Sequence, residues 1–196
     1  MVVSTIGIGL ALLAFSGVYL VRYQPLSANG TGATWVDPRH ATRLGDFSPP
    51  VGESFPAYRV RYEDGSSFSY AMTLYNEGPL PVTITSIGED ECRDCPSPLV
   101  FERATVAPDE GTFQYDRRHA TPFHGFVIQP GGSRYIVIKT RFDNCDSYAP
   151  PSGVTYGSIW VGYRTWGFEH QVLLPMPYSL DVSIRRGGCP GGLENG

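Results

Sequence analysis

Residues 68–87 read FSYAMTLYNEGPLPVTITSI and carry the clearest β-strand signal of the chain. From Phe68 to Leu74 large apolar residues alternate with small or polar ones, which is the period-two pattern of a half-buried β-strand. The turn-forming residues at 76–79 interrupt the run. From Pro81 to Ile87 the chain is rich in Val, Ile and Thr, whose branched side chains suit a pleated surface. The stretch therefore predicts two strands joined by a short turn.

Further runs along the chain carry the same strand signals, and they are separated by Pro/Gly turns at short, even spacing. They are Leu99 to Ala104, Phe123 to Ile128, Arg134 to Phe142, Tyr156 to Tyr163, Glu169 to Leu174 and Tyr178 to Ile184. After residue 23 no segment has a sustained apolar stripe of helical period. Together these strands predict an all-β fold, an immunoglobulin-like antiparallel β-sandwich over residues 57–188. Periodicity alone leaves a closed barrel as the alternative.

The same residues resemble a known family. The stretch 68–87, followed by FVIQPGGS at 126–133 and the strand after it, is similar to bacterial immunoglobulin-like domains of the ASPM/SPD-2/Hydin and major-sperm-protein type. In that pattern an apolar strand ends in Asn-x-Gly, and a Pro-Gly turn precedes a Val/Ile-rich strand. The likeness covers roughly residues 66–184 and departs from the family in the loops around Cys92 and Cys145. It implies a binding or scaffolding module without an active site.

The N-terminus differs in character from the rest of the chain. Residues 2–21 carry no charge, and about 20 residues rising about 1.5 Å each span a hydrocarbon core as a helix. We expect residues 1–23 to form a membrane anchor that contacts lipid through 2–21, with a cleaved signal or a misassigned start as alternatives. The Pro-rich segment 24–56 is predicted to be a semi-extended stalk.

The orientation of the anchor rests on two opposing signals. Arg22, Arg39 and Arg43 follow the apolar run, which favours a cytoplasmic domain. The four cysteines lie in polar, turn-rich contexts typical of disulfides in exported proteins. Since a folded domain is translocated largely regardless of local charge, we expect a single-pass cell-membrane protein with its C-terminal domain extracytoplasmic.

The cysteine pattern predicts two disulfides. Cys92-Arg-Asp-Cys95 follows acidic residues and runs into Pro96, which is incompatible with the helix start of a thioredoxin-like site. We expect Cys92 to pair with Cys95 in a loop, and Cys145 to pair with Cys189 at the start of the tail 189–196, although other connectivities stay open. The alternatives are thiol-redox exchange at Cys92/Cys95, or a soft copper site that adds His119, His124, Met72 and Met176.

No catalytic motif is present in the sequence, and the net charge of −4 gives no footprint for nucleic acid. We therefore expect no enzyme activity, no cofactor and no metal, and a role as an accessory or assembly subunit of a membrane or envelope complex.

Trp166-Gly167 is predicted to be the tip of a hairpin. The candidate partner-binding residues are Trp166, Phe168, Tyr163, Arg117 and Arg118. Alternatively, these aromatic rings pack against neighbouring loops and have only a structural role. A second functional hypothesis is carbohydrate binding, with sugar rings stacked on Trp160, Tyr163 and Trp166.

Overall fold

The computed structural model describes residues 23–28, 34–47, 55–88, 97–108, 120–148 and 152–184. Apart from one 3-10 turn at Cys145–Ser147, the regular structure of this part is entirely β. Its strands are β1 Leu26–Ser27, β2 Trp35–Val36, β3 Ala41–Phe47, β4 Phe55–Arg61, β5 Ser67–Asn76, β6 Val82–Ile87, β7 Leu99–Pro108, β8 Thr121–Pro122, β9 Phe126–Ile128, β10 Ser133–Phe142, β11 Ser152–Thr165 and β12 Phe168–Ile184.

The strands form two sheets. Sheet A has the order β1-β5-β10-β7-β8, with β2 also pairing with β5, and sheet B has the order β3-β4-β12-β11-β6-β9. Strands β5, β10 and β7 take the places of B, E and D of an immunoglobulin sandwich, and β6, β11 and β12 those of C, F and G. Strand β4 joins β12 in parallel, while the other pairings are antiparallel. The predicted all-β, immunoglobulin-like sandwich is confirmed.

The core lies between the sheets and follows the alternation in the sequence. Phe68, Met72 and Leu74 of β5 are buried, and so are the inward side chains of β10, β11 and β12. The other face of β5 is covered as well in its middle, where Ala71 packs with Tyr135 in a second, smaller apolar cluster. Strand β5 is therefore buried on both faces at its centre, which a simple alternating pattern does not predict.

The prediction of a stalk over 24–56 is wrong for the described part of that segment. Strands β1 and β2 both pair with the outer edge of β5, and β3 pairs with β4 at the edge of sheet B. Leu26 and Val36 are buried in the core. For β1 and β2 the physical reason is the row of backbone N–H and C=O groups along one edge of β5, with which these segments pair although they are too short to show periodicity.

The C-terminal strands also differ in extent from their predicted bounds. The runs 169–174 and 178–184 belong to one long strand, β12, across Pro175 and Pro177. The register between β11 and β12 shifts at these prolines: Tyr156 faces Leu180, whereas Ser158 faces Pro175. Proline has no N–H to donate to a ladder, so the irregularity falls where the prolines are. Strand β7 extends beyond Ala104, and the run 123–128 is a strand only from Phe126.

Several sequence predictions fall on residues outside the described part. The anchor 1–23 does so except for Tyr23, as do Cys92, Cys95, Cys189 and the tail. Within the described ranges no helix is long and apolar enough to cross a bilayer. Cys145 is buried and disulfide-bonded, and its partner is not among the described residues. The pairings Cys92–Cys95 and Cys145–Cys189 therefore stay predictions.

Candidate functional site

The tip of the β11–β12 hairpin has the geometry that the sequence predicted. Thr165 faces Phe168, so the connection has only two residues, Trp166 and Gly167. Both have positive φ, 51° and 81°, which is the signature of a type I′ turn. Asn-Gly and Asp-Gly are the sequences that favour this turn, because a bulky residue at positive φ is strained. A tryptophan at this position is therefore a departure from what the turn itself requires.

The rings at the tip lie in solvent. The exposed fraction of Trp166 is 68%, the highest among the large hydrophobic residues of the described chain, and that of Phe168 is 49%. Beside the turn, Glu169, Arg164, Thr83 and Val127 form one continuous row across four strands of sheet B. Val127 is also exposed, but it lies two strands away from the hairpin on the face of Arg164, whereas Phe168 pairs with the buried Thr165. We call Trp166 and Phe168 the tip patch.

Tyr163 does not belong to the tip patch. Its exposed fraction is 2%, and its ring stacks on His170 with the ring centroids 4.9 Å apart. Its hydroxyl donates a hydrogen bond of 2.6 Å to the backbone carbonyl of Tyr23. Burial raises the pKa of this phenol above its ordinary value. The prediction that Tyr163 binds a partner is therefore wrong, because odd-numbered residues of this part of β11 point into the core.

A buried amide closes the end of the sandwich below the tip. The side chain of Asn76 donates hydrogen bonds to the carbonyls of Leu80 (2.7 Å) and Ile128 (3.0 Å), and it accepts one from the Gly78 N–H (3.0 Å). A Cβ at Gly78 would overlap the Tyr23 hydroxyl. These contacts explain why β5 ends in an Asn-x-Gly sequence, and they hold the turn between β5 and β6 in place.

Tyr23 lies at this same end of the sandwich. Tyr23 accepts the hydrogen bond from Tyr163, only two residues before Thr165 at the end of β11. The carbonyl of Pro25 accepts a hydrogen bond from the Glu77 N–H, and that of Pro81 accepts one from the Thr165 hydroxyl. The segment that follows residue 22 is therefore held beside the base of the hairpin.

The remaining candidate residues do not join the tip patch. Arg117, Arg118 and His119 lie outside the described residues. Trp160 is half-buried and lines a small cavity of about 50 Å³, and its side chain projects from the opposite face of β11 to Tyr163. Trp160, Tyr163 and Trp166 thus provide no common platform for a sugar.

The residues of the alternative copper site are also dispersed in the part of the chain that the structure describes. Met72 and Met176 are buried in the core, whereas His124 is exposed. No group of three or more His, Cys, Asp or Glu side chains that could hold a metal occurs among the described residues. Cys92 and Cys95 lie outside the described residues, so the thiol-redox alternative stays a prediction.

Comparisons with known proteins give distant structural likeness. No family model and no curated protein matches the chain. Among solved structures, an ASH/PapD-like domain of human CEP192 is 11% identical and covers 72% of this chain and 96% of its own, with a TM-score of 0.28. A family 123 glycoside hydrolase from Clostridium perfringens is 14% identical and covers 64% of this chain and 23% of its own, with a TM-score of 0.31. The fold assignment rests on strand order and register rather than on these likenesses.

Proposed function

We propose that this protein is a non-catalytic interaction module that docks on a protein of a membrane or envelope complex through the tip patch. The observation that carries the proposal is the conformation and exposure of Trp166 together. A left-handed backbone at a bulky residue destabilises the folded state by about 1 kcal/mol. The indole ring of Trp166 does not offset this cost by packing, because it is exposed to solvent. A strained and exposed aromatic residue at a turn is therefore better explained by recognition than by stability.

The chemistry of the tip patch suits a protein partner. Aromatic residues dominate binding hot spots, because a large rigid ring buries much apolar area and loses little side-chain entropy. Trp166 and Phe168 project from a hairpin whose stem is fixed by the core. Little conformational entropy is therefore lost when the hairpin binds a partner. Arg164 and Glu169 beside the turn supply the charged rim that interfaces of this kind have.

The proposal extends to the cell membrane. If residues 2–21 are a single-pass anchor and the domain is extracytoplasmic, the position of Tyr23 at the base of the hairpin holds the tip patch close to the bilayer. A partner there would itself be a membrane or envelope component, which fits an accessory or assembly subunit. The two predicted disulfides and the kinship with immunoglobulin-like domains of the ASPM/SPD-2/Hydin type are part of the same proposal.

A photo-crosslinking amino acid placed at position 166 or 168 of the full-length protein in its native membranes tests the docking surface. The control places the same amino acid at Leu44, which is exposed on β3 at the far edge of sheet B. We expect both tip positions to crosslink to the same protein and position 44 not to do so. Equal crosslinking patterns at all three positions, or no product at the tip, would contradict the proposal.

A further inference from the structure

A groove lies on the outer face of sheet A, away from the tip patch. Its volume is about 680 Å³, within the range of about 300–1,000 Å³ that is usual for small-ligand sites. The floor is apolar and aromatic, formed by Trp35 of β2 with Tyr135 and Val137 of β10. The register explains the arrangement, since Trp35 and Val137 both face Ala71 of the strand between them. The groove therefore extends across four adjacent strands, β2, β5, β10 and β7.

Among the described residues, the charged side chains that line the groove are cationic: Arg39, Arg103 and Lys139. Arg39 is held by the buried carboxylate of Asp37 through a bidentate contact, with its shortest distance 2.6 Å, and Lys139 lies 2.9 Å from Glu102. Within the described chain Arg103 forms no ion pair, and it faces Lys139 across the strand pair. Arg103 is therefore the side chain whose guanidinium fork is available to a carboxylate.

The centre of the groove offers a ligand side chains rather than backbone. Strand β10 is paired with β5 on one side and with β7 on the other, so its N–H and C=O groups are used in the two ladders. An extended peptide gains its affinity from backbone hydrogen bonds at a sheet edge, and the centre of this face is not an edge. The hydroxyls of Thr34, Ser69 and Thr105 stand among the aromatic and cationic groups. This combination fits a compact ring that carries both hydroxyls and a carboxylate.

We propose that this groove binds an acidic sugar, a mono- or disaccharide unit with a ring carboxylate. The apolar face of the sugar ring stacks on Trp35, the carboxylate meets Arg103, and the ring hydroxyls meet Thr34 and Ser69. The inference is independent of the hairpin tip, because the groove belongs to sheet A and the tip to sheet B.

Calorimetric titration of the full-length protein in mild detergent with digalacturonate, and with the neutral disaccharide galactobiose as its match, tests the proposal. We expect a dissociation constant of about 1 mM or tighter for digalacturonate, and binding at least about tenfold weaker for galactobiose. A shift of the Trp35 indole N–H resonance on titration would place the ligand over the groove floor.

The matched variants are Arg103→Gln in the groove and Arg164→Gln on the outer face of sheet B, both at exposed strand positions. Arg103→Gln should weaken digalacturonate binding about tenfold or more, and Arg164→Gln should leave it unchanged. Three results would overturn the assignment: no binding of digalacturonate, equal effects of the two variants, or equally tight binding of inorganic phosphate or a tetraglutamate peptide. Unchanged thermal unfolding of Arg103→Gln serves as the control for its fold.

Discussion

Tyr163 and Trp166 lie three residues apart on the same hairpin, yet their environments are opposite. The Tyr163 ring is buried, stacked and hydrogen-bonded to the backbone of residue 23, whereas the Trp166 ring is solvated on a strained turn. Stem residues thus stabilise the fold, and tip residues contribute nothing evident to it. The contrast teaches that an aromatic cluster in a sequence divides into structural and functional members only when the strand register is known.

The largest expected effect concerns the layer below the stem. Asn76→Ala removes a buried amide and leaves the carbonyls of Leu80 and Ile128 without their donor. We expect the free energy of unfolding to fall by about 3 kcal/mol, because each unsatisfied buried group costs 1–3 kcal/mol. Urea denaturation measures the loss, with Thr85→Ala at an exposed position of β6 as the control. A loss no larger than that of the control would show that the turn is not held by this amide.

Tyr163→Phe probes the stem itself. The change keeps the stacked ring and removes only the hydroxyl that donates to the Tyr23 carbonyl. We expect a loss of about 1 kcal/mol, together with faster hydrogen exchange in residues 23–28 than elsewhere in the sandwich. Uniformly faster exchange across both sheets, with no preference for 23–28, would contradict a local role for this bond.

Gly167→Ala tests whether the turn is fixed by its backbone. The φ of 81° suits glycine, while the space around a Cβ at this position is open. We therefore expect a cost of about 1 kcal/mol from conformational strain alone, seen as a lower unfolding midpoint at unchanged m-value. A neutral result would mean that the turn readily adopts another geometry, and the argument from strain at Trp166 would then fail.

The smallest effect has the opposite sign. Trp166→Asn places at the first turn position a residue that tolerates positive φ, so the sandwich should gain about 0.5 kcal/mol. Thermal unfolding monitored by far-UV circular dichroism detects the shift. A clear loss of stability would instead show that the indole ring packs on the protein and is structural like Tyr163.

The sequence predicted those parts of the fold in which local pattern and burial agree. The alternation in β5, β6 and β10 gave their bounds to within one or two residues, and the Trp166-Gly167 turn was predicted from its position between two strands. Strands β1 to β4 were missed. Strands β1 and β2 have two residues each, which is too few to show a periodicity. Their pairing depends on the open edge of β5, a feature of the assembled sheet rather than of either segment.

The candidate site was predictable only in part, for a related reason. Exposure of Trp166 and Phe168 follows from their place at a tip, but the burial of Tyr163 depends on register and on the return of the chain at Tyr23. The groove on sheet A was not predicted at all. It joins Trp35 to Arg103 across the intervening strands β5 and β10, and no spacing in the sequence links these residues.

Measuring partner binding and stability in the same variant shows whether Trp166 serves recognition rather than the fold. Full-length Trp166→Asn and the control Leu44→Asn are each isolated from native membranes, and the amount of co-isolated partner is quantified beside the free energy of unfolding. We predict that Trp166→Asn loses at least about tenfold in partner retention at equal or higher stability, whereas Leu44→Asn retains the partner. Full retention by Trp166→Asn would contradict the account, since the strained tryptophan would then serve no recognition.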